Sequence, residues 1–455
     1  MIDDFIGKKD LPFFTTYGRF ITADMYLKAS LKNTWATFDL FIRELPPNRN
    51  YLVFAGLEHV LQYLLDFKFT PAQARYMKAY MKLPSPTVAY LKNLRFSGHV
   101  QAMPEGTVFF PNEPVVRITA PVVQCAMFEQ YLANTVMVQT MLASKMARLV
   151  AAAQGVPISL TVIRTHGIDA AVKGMRAGYL VGCSKMALPI LAMRLKRPPS
   201  GVITYHYFIQ SFDDEREAFE IYAKNYPGKG WMLVDTYNIK SGIAKIIDIS
   251  RRLGPRSFKG ICIDSGDLLA HSKMARRMLD QAGLRQVEIM LMSNLEEYKI
   301  NQLMKRGAPV DWFGAATEVM TSADSPKLEI VYKLSELVKE GRVMPKMKLS
   351  SKKATYPGKK QVYRYEHNGI YTHDVIGLDK DNVPGRKLLL PFVSGGKLIR
   401  RVPTLDESAA YYQRQLVKFN PKLMSVEHSY RFPVRISSRL QALRRRTQNQ
   451  FHASE

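Results

Sequence analysis

The chain has 455 residues, 47% hydrophobic and 23% charged, enough for a large buried core and about two domains. No apolar run of about 18 residues occurs, and the start Met1-Ile2-Asp3-Asp4-Phe5 lacks the basic and apolar regions of a secretory signal, which points to a cytoplasmic protein without a membrane span. Lysine and arginine number 65 against 39 aspartates and glutamates, a formal +26, and residues 341–450 carry 23 basic and 7 acidic of them, a field suited to anionic substrates or a polyanion.

Residues 1–125 mix strands with helices and form an N-terminal α/β domain. Within it, 56–67 has helical apolar spacing through Leu57, Val60, Leu61, Leu64 and Leu65, and 106–111 and 114–118 are strand-like. A long helix, rich in Ala, Met and Leu, covers 124–153 and stops at Gly155-Val156-Pro157. From there a strand-then-helix rhythm sets in: 158–163 before 168–179, 202–206 before 213–223, 232–235 before 241–249, 260–264 before 272–281, 287–292 before 296–306, and a last strand at 312–315. Short apolar strands joined by helices imply parallel strands buried on both faces. The count favours an irregular TIM-like α/β barrel over 126–335, although a doubly wound open sheet has the same periodicity. Residues 336–455 form a basic region too short in helical repeats to extend the barrel.

Strand C-termini of a barrel converge on one mouth. Here they bring Arg164 and His166, His206, Asp235, Asp264 with Ser265 and Asp267, Ser293 with Asn294, and the run Gly314-Ala315-Ala316-Thr317. The small residues and hydroxyl of that last run suit a phosphate held by backbone N–H groups. Asp264 and Asp267 have a plainer alternative as caps of the turn and the helix after it, and His206, between Tyr205 and Tyr207, as a packed aromatic neighbour. No His-x-His or HExxH pair is present, and Cys125, Cys183 and Cys262 stand apart in apolar sequence, read as buried and reduced. Scattered carboxylates at Asp235 and Asp264 suit Mg²⁺ brought by a phosphorylated substrate better than a fixed zinc. No paired Cys/His finger, KH clamp or RNP strand pair accompanies the basic region.

The motifs Phe38-Asp39-Leu40-Phe41, Val53-Phe54-Ala55-Gly56-Leu57-Glu58, Arg164-Thr165-His166-Gly167, Leu233-Val234-Asp235-Thr236-Tyr237, Ile263-Asp264-Ser265-Gly266-Asp267-Leu268 and Thr321-Ser322-Ala323-Asp324-Ser325-Pro326 occur in order. In these, and nearly throughout its length, the chain resembles the nicotinate phosphoribosyltransferase family. The resemblance implies a type II phosphoribosyltransferase that makes nicotinate mononucleotide and pyrophosphate from nicotinate and phosphoribosyl pyrophosphate. ATP as co-substrate would act through a phosphohistidine at His206, with Mg²⁺ also required. It further implies an irregular barrel, a second α/β (α+β) domain built from both chain ends with residues 336–455 packing back on the N-terminal domain, Asp235 and Asp264 on the ribose hydroxyls and Mg²⁺, Arg164 on phosphate, Gly314 and Thr317 on the 5′-phosphate, Tyr17 near the nicotinate ring, and a homodimer.

The chain departs from the family pattern at definite places. Thr16-Tyr17-Gly18 stands where the family has Asp-x-Tyr, Ile163-Arg164 where it has paired arginines, and Ala316-Thr317 where it has Gly-Thr. The family's Gly-Thr-Ser-Asn turn has no counterpart in 183–189, and Ile203-Thr204-Tyr205-His206 is bulkier than Thr-x-Ala-His. Three readings follow: a nicotinate enzyme, a relative acting on another base, or a non-catalytic protein whose basic C-terminal region holds nucleic acid or an acidic protein.

Overall fold

The computed structural model describes residues 6–183, 185–201, 203–350 and 353–452, the side chains of 451 and 452 excepted. Of the positions read in the sequence, Met1–Phe5, Ser184 and Val202 lie outside the described residues. The chain divides into two compact units, one of Met1–Thr140, Lys327–Leu423 and Tyr430–Glu455, the other of Met141–Pro326 with Met424–Ser429.

The second unit is built on parallel strands. In spatial order these are Lys185–Met186, Ile158–Leu160, Trp312–Ala315, Glu288–Leu291, Gly260–Ile263 and Trp231–Leu233. The segment 200–204 touches both edges: Ser200 N–H donates to the Met186 carbonyl at 2.9 Å, and Thr204 N–H to that of Trp231 at 3.0 Å. The sheet thereby curls into an irregular barrel. Its interior is a buried cluster of Trp231, Cys262, Met290 and Trp312, with Ile203, Leu233 and Met292 packed on it. At the strand starts, Lys259 Nζ lies 4.4 Å from the Trp231 ring centre and Lys185 Nζ 5.2 Å from that of Trp312, so cation–π contacts close this end.

Side chains alternate along a strand, so inward positions recur every second residue. Stepping inward from Trp231 through Leu233 reaches Asp235, and from Gly260 through Cys262 reaches Asp264. From Trp312 through Gly314 the same step reaches Ala316. The alternation that fills the barrel thus delivers two carboxylates to its mouth. The intervening helices start on side-chain caps, with Asp214, Asn238, Asp267 and Glu296 each accepting backbone N–H groups of the first turn.

One expected element differs. The strand over 202–206 reduces to a single bridge between Ile203 and Trp231, and His206 opens the one-turn helix His206–Ile209. Pro198-Pro199 precedes it and cannot donate to a ladder, and the Thr204 hydroxyl takes the Leu233 N–H at 2.9 Å that a strand carbonyl would accept. Likewise 158–163 is strand only over Ile158–Leu160, which leaves Arg164 and His166 on a loop.

The first unit holds a seven-stranded sheet whose centre pairs Trp35–Ile42 antiparallel with Pro114–Pro121 on one side and Ile330–Lys339 on the other. A four-stranded sheet is centred on the Lys360–His367 and Ile370–Leu378 hairpin. The long helix, Val122–Ala152, runs through the boundary at 140. All three cysteines are free and buried, and burial pushes the Cys125 thiol up to about 12, where it stays protonated. Among the described residues no helix is long and apolar enough to cross a membrane.

Candidate active site

Asp235, half-buried just beyond Trp231–Leu233, organises the mouth. Its Oδ2 accepts the Asp264 backbone N–H at 3.0 Å and the Ser265 hydroxyl at 2.6 Å, which ties adjacent strand ends together. Its Oδ1 has no protein partner among the described residues and stays available to a hydroxyl or a cation. Asp264 does not cap the turn; its carboxyl faces the mouth. The surrounding protein mass, then the charge of Asp235, raise its pKa, opposed by a hydrogen bond from Ser293 N–H and the charges of Arg164 and Lys299. Asp267 is the cap: Oδ1 accepts Leu269 and Ala270 N–H at 3.0 Å each, which holds its carboxyl below the usual range. The turn between these acids needs Gly266, which has φ +72° and whose Cβ would lie 2.5 Å from the His271 ring.

Ser293 and Asn294 both sit in the left-handed region, at φ +82° and +47°. Consecutive non-glycine residues there store backbone strain, which persists only where surrounding bonds impose it. Lys299 Nζ supplies one such bond, donating to the Ser293 carbonyl at 2.7 Å. Across the mouth, Arg164 Nη1 donates to the Thr317 hydroxyl at 3.3 Å, so a cation and a hydroxyl meet after the last strand. Asp235, Asp264 and Ser265 thus form one bonded group, Arg164 with Thr317 a second and Ser293 with Lys299 a third, all at strand C-terminal ends, and the charges of Arg164 and Lys299 act on Asp264. Lys299 was not anticipated; a lysine within a helix of mixed charge carries no sequence signal.

The remaining candidates fall outside these groups. His206 and His166 are exposed, and no acid orients the His206 imidazole among the described residues; its ring contact is with Tyr207, centres 5.7 Å apart. Tyr17 belongs to the first unit, where it starts the Tyr17–Lys28 helix and donates its hydroxyl to the Met81 carbonyl at 3.0 Å.

Gly314 and Ala315 are buried inside the last strand, and Gly314 has a packing reason for being glycine: a Cβ there would lie 2.5 Å from Met292 Cγ. Of the run 314–317, only Ala316 and Thr317 reach the strand end. Gly314→Ala is expected to cost about 1–3 kcal/mol through overpacking. Adding Met292→Ala should recover part of it in urea unfolding, whereas no recovery would mean the backbone, not the methionine, needs the glycine.

As for metal, no cluster of three or more His, Cys, Asp or Glu is placed to hold an ion among the described residues. The donors that fit Mg²⁺ are the free Oδ1 of Asp235 and the carboxyl of Asp264, a hard-oxygen pair whose mutual repulsion a divalent cation would relieve, with further oxygens from a phosphorylated substrate.

A parallel barrel with paired acids, an arginine and hydroxyls at its strand ends has the build of an α/β enzyme that takes a phosphorylated substrate at that end. The family model for the nicotinate phosphoribosyltransferase N-terminal domain matches residues 16–137. The chain is 38% identical over 431 residues to nicotinate phosphoribosyltransferase pncB2 of Mycobacterium tuberculosis, covering 94% of this chain and 92% of that one. It is 36% identical over 377 residues to the Bacillus subtilis nicotinate phosphoribosyltransferase, covering 81% and 76%. The chain belongs to the nicotinate phosphoribosyltransferase family and is an enzyme of that general kind, which sets aside the non-catalytic reading. Its fold is that of the human nicotinic acid phosphoribosyltransferase crystal structure, with a TM-score of 0.83 over 95% of this chain and 99% of that one at 23% identity.

Proposed function

We propose that the chain condenses nicotinate with phosphoribosyl pyrophosphate to give nicotinate mononucleotide and pyrophosphate, with ATP hydrolysis coupled to the reaction, in NAD biosynthesis. The observation that carries this reading is the Asp235 carboxylate holding the Asp264-Ser265 backbone at the mouth, with Arg164 and Thr317 paired beyond the last strand.

The pyridine nitrogen of nicotinate attacks C1′ of the ribose as the bond to pyrophosphate breaks, and both electrons of that bond leave with the pyrophosphate. Positive charge grows on the ribose ring in the transition state, and the ionised Asp235 and Asp264 stabilise it where water cannot screen them fully. Both acids also accept hydrogen bonds from the ribose hydroxyls, which fixes C1′ toward the base. Arg164 and Thr317 hold phosphate oxygens. Mg²⁺ bound with the substrate would neutralise charge on the pyrophosphate. His206, exposed and with both ring nitrogens open to solvent, is the group on which the γ-phosphoryl of ATP would be carried and then released to water.

The test is product formation by the purified protein from labelled nicotinate and phosphoribosyl pyrophosphate with Mg²⁺, with and without ATP, following phosphate release. Coupling predicts about one phosphate per nucleotide; a protein that binds neither substrate would overturn the reading. A second reading, a different base, is favoured by Tyr205 and Tyr207, stacked at 5.2 Å beside His206 where the family has a small residue. A competition screen of pyridine and purine bases decides between the two.

A pH dependence follows from Asp264. Its raised pKa means that the carboxyl takes up its proton at a higher pH than an ordinary aspartate, near 3.9. If turnover needs the ionised form, activity is full above that raised value and lost as pH falls through it. Lys299→Met removes a favourable charge and should move the acid limb of kcat/KM to higher pH. An unmoved limb would assign it to another group.

A further inference from the structure

Below the mouth, one buried lysine joins the segments that follow the last two strands. Lys145 lies on the Val122–Ala152 helix, 2% exposed, with Nζ 2.6 Å from Glu297 Oε2 and 2.9 Å from Asp324 Oδ1. Glu297 is fully buried, and its other oxygen accepts Arg148 Nε at 2.9 Å. Arg148 in turn donates to the Tyr298 hydroxyl at 3.2 Å and to the Val426 carbonyl at 3.0 Å.

The two acids that Lys145 grips sit at informative places. Glu297 is the first residue of the Glu297–Lys305 helix, whose cap Glu296 holds the N–H groups of Tyr298 and Lys299. One turn along, Lys299 Nζ holds the Ser293 carbonyl at 2.7 Å, and Ser293 is one of the two left-handed residues beside the mouth. Asp324 lies in the turn that follows the one-turn helix Thr317–Met320, which Thr321 N–H closes onto the Thr317 carbonyl and Ala323 N–H onto that of Glu318. Thr317 bears the hydroxyl that Arg164 meets.

We propose that Lys145 is a positioning residue for catalysis: a single buried ammonium sets the segments after the last two strands in register, so that Lys299 meets the Ser293 carbonyl and Thr317 meets Arg164. A buried ion pair is weak evidence for stability, because desolvation offsets the attraction, and its better-attested use is to specify one arrangement among several. Here the arrangement specified includes two left-handed residues, which relax unless held. Lys145 touches no substrate; it acts through Glu297 and Asp324. The inference rests on the reading of the mouth as a ribose-phosphate site.

The test uses Lys145→Met, which keeps length and removes the charge, and Asp324→Asn, a milder change at a position 28% exposed. Misplacing the loops by about 1 Å predicts a fall in kcat of about tenfold to a hundredfold for Lys145→Met. Asp324→Asn frees only the segment that carries Thr317, so it should raise KM for phosphoribosyl pyrophosphate and leave kcat within a few fold of wild type, a split that a merely structural ion pair would not produce. If Lys145→Met fails to fold, Asp324→Asn alone decides, by a raised KM or an unchanged one. Variants with a lower Tm but wild-type kcat and KM would reduce Lys145 to a structural ion pair and overturn the inference. An inactive wild-type protein would instead overturn the reading of the site.

Discussion

Asp235→Ala is expected to lower kcat/KM by about 10²–10³-fold, or about 3–4 kcal/mol of transition-state stabilisation. Two separate losses add up to that figure. The carboxylate's charge no longer opposes the positive ribose, and its Oδ2 no longer holds Asp264 N–H and the Ser265 hydroxyl, so the second acid drifts from its place. Asp235→Asn separates the two. An asparagine keeps an acceptor oxygen for those donors and discards the charge. If electrostatics dominates, both variants lose similar activity; if the scaffold dominates, Asn retains most of it. The charge also raises the Asp264 pKa, so the residual activity of Asp235→Asn should show an acid limb at lower pH than the wild type. A ribose site built on other residues would leave kcat/KM of both variants within a few fold of wild type.

The barrel and its acids were legible in the sequence because each rests on a local rule. Short apolar runs such as Gly260-Ile261-Cys262-Ile263, set between helical patterns and turn residues, are buried strands, and an acid at the inward position just past the last apolar residue faces the mouth. The cap role of Asp267 was legible as an alternative for the same reason, since it precedes a helical pattern. Connections made across the chain were not. Lys145 and Glu297 lie 152 positions apart, each inside a helix of unremarkable pattern, and only the fold makes them partners. At Gly314 small residues near a late strand suggest phosphate, and the structure adds a constraint that no sequence pattern shows, the nearness of Met292 Cγ to any Cβ there. The strand over 202–206 failed because a side-chain hydroxyl took the ladder's hydrogen bond, which apolar content does not reveal.

Arg364→Met should be the most damaging single change to the fold of the first unit, costing about 3–5 kcal/mol. Arg364 and Asp374 are both fully buried, and the guanidinium holds the carboxylate through Nε at 2.9 Å and Nη2 at 2.6 Å. Nη2 also donates to the Val108 carbonyl at 2.8 Å, and the guanidinium lies 5.1 Å from the Phe419 ring centre and 5.3 Å from that of Tyr371. A second buried acid, Glu113, leans on the same cation. Burial, then the charge of Asp374, push its pKa well up, so it shares the site with its proton on. Removing the arginine strands Asp374 as an uncompensated charge and takes from Glu113 the cation that opposes the rise of its pKa. The sign of the pH effect then follows. Asp374 in the variant is driven toward its protonated form, so Arg364→Met should be least unstable in acid and lose stability as pH rises toward neutrality. The double variant Arg364→Met with Asp374→Leu replaces the pair by apolar volume and should regain most of the loss in urea unfolding, because the cost lies in the orphaned charge and not in the missing bonds. A double variant as unstable as the single one would place the cost in the lost aromatic and carbonyl contacts of the guanidinium instead.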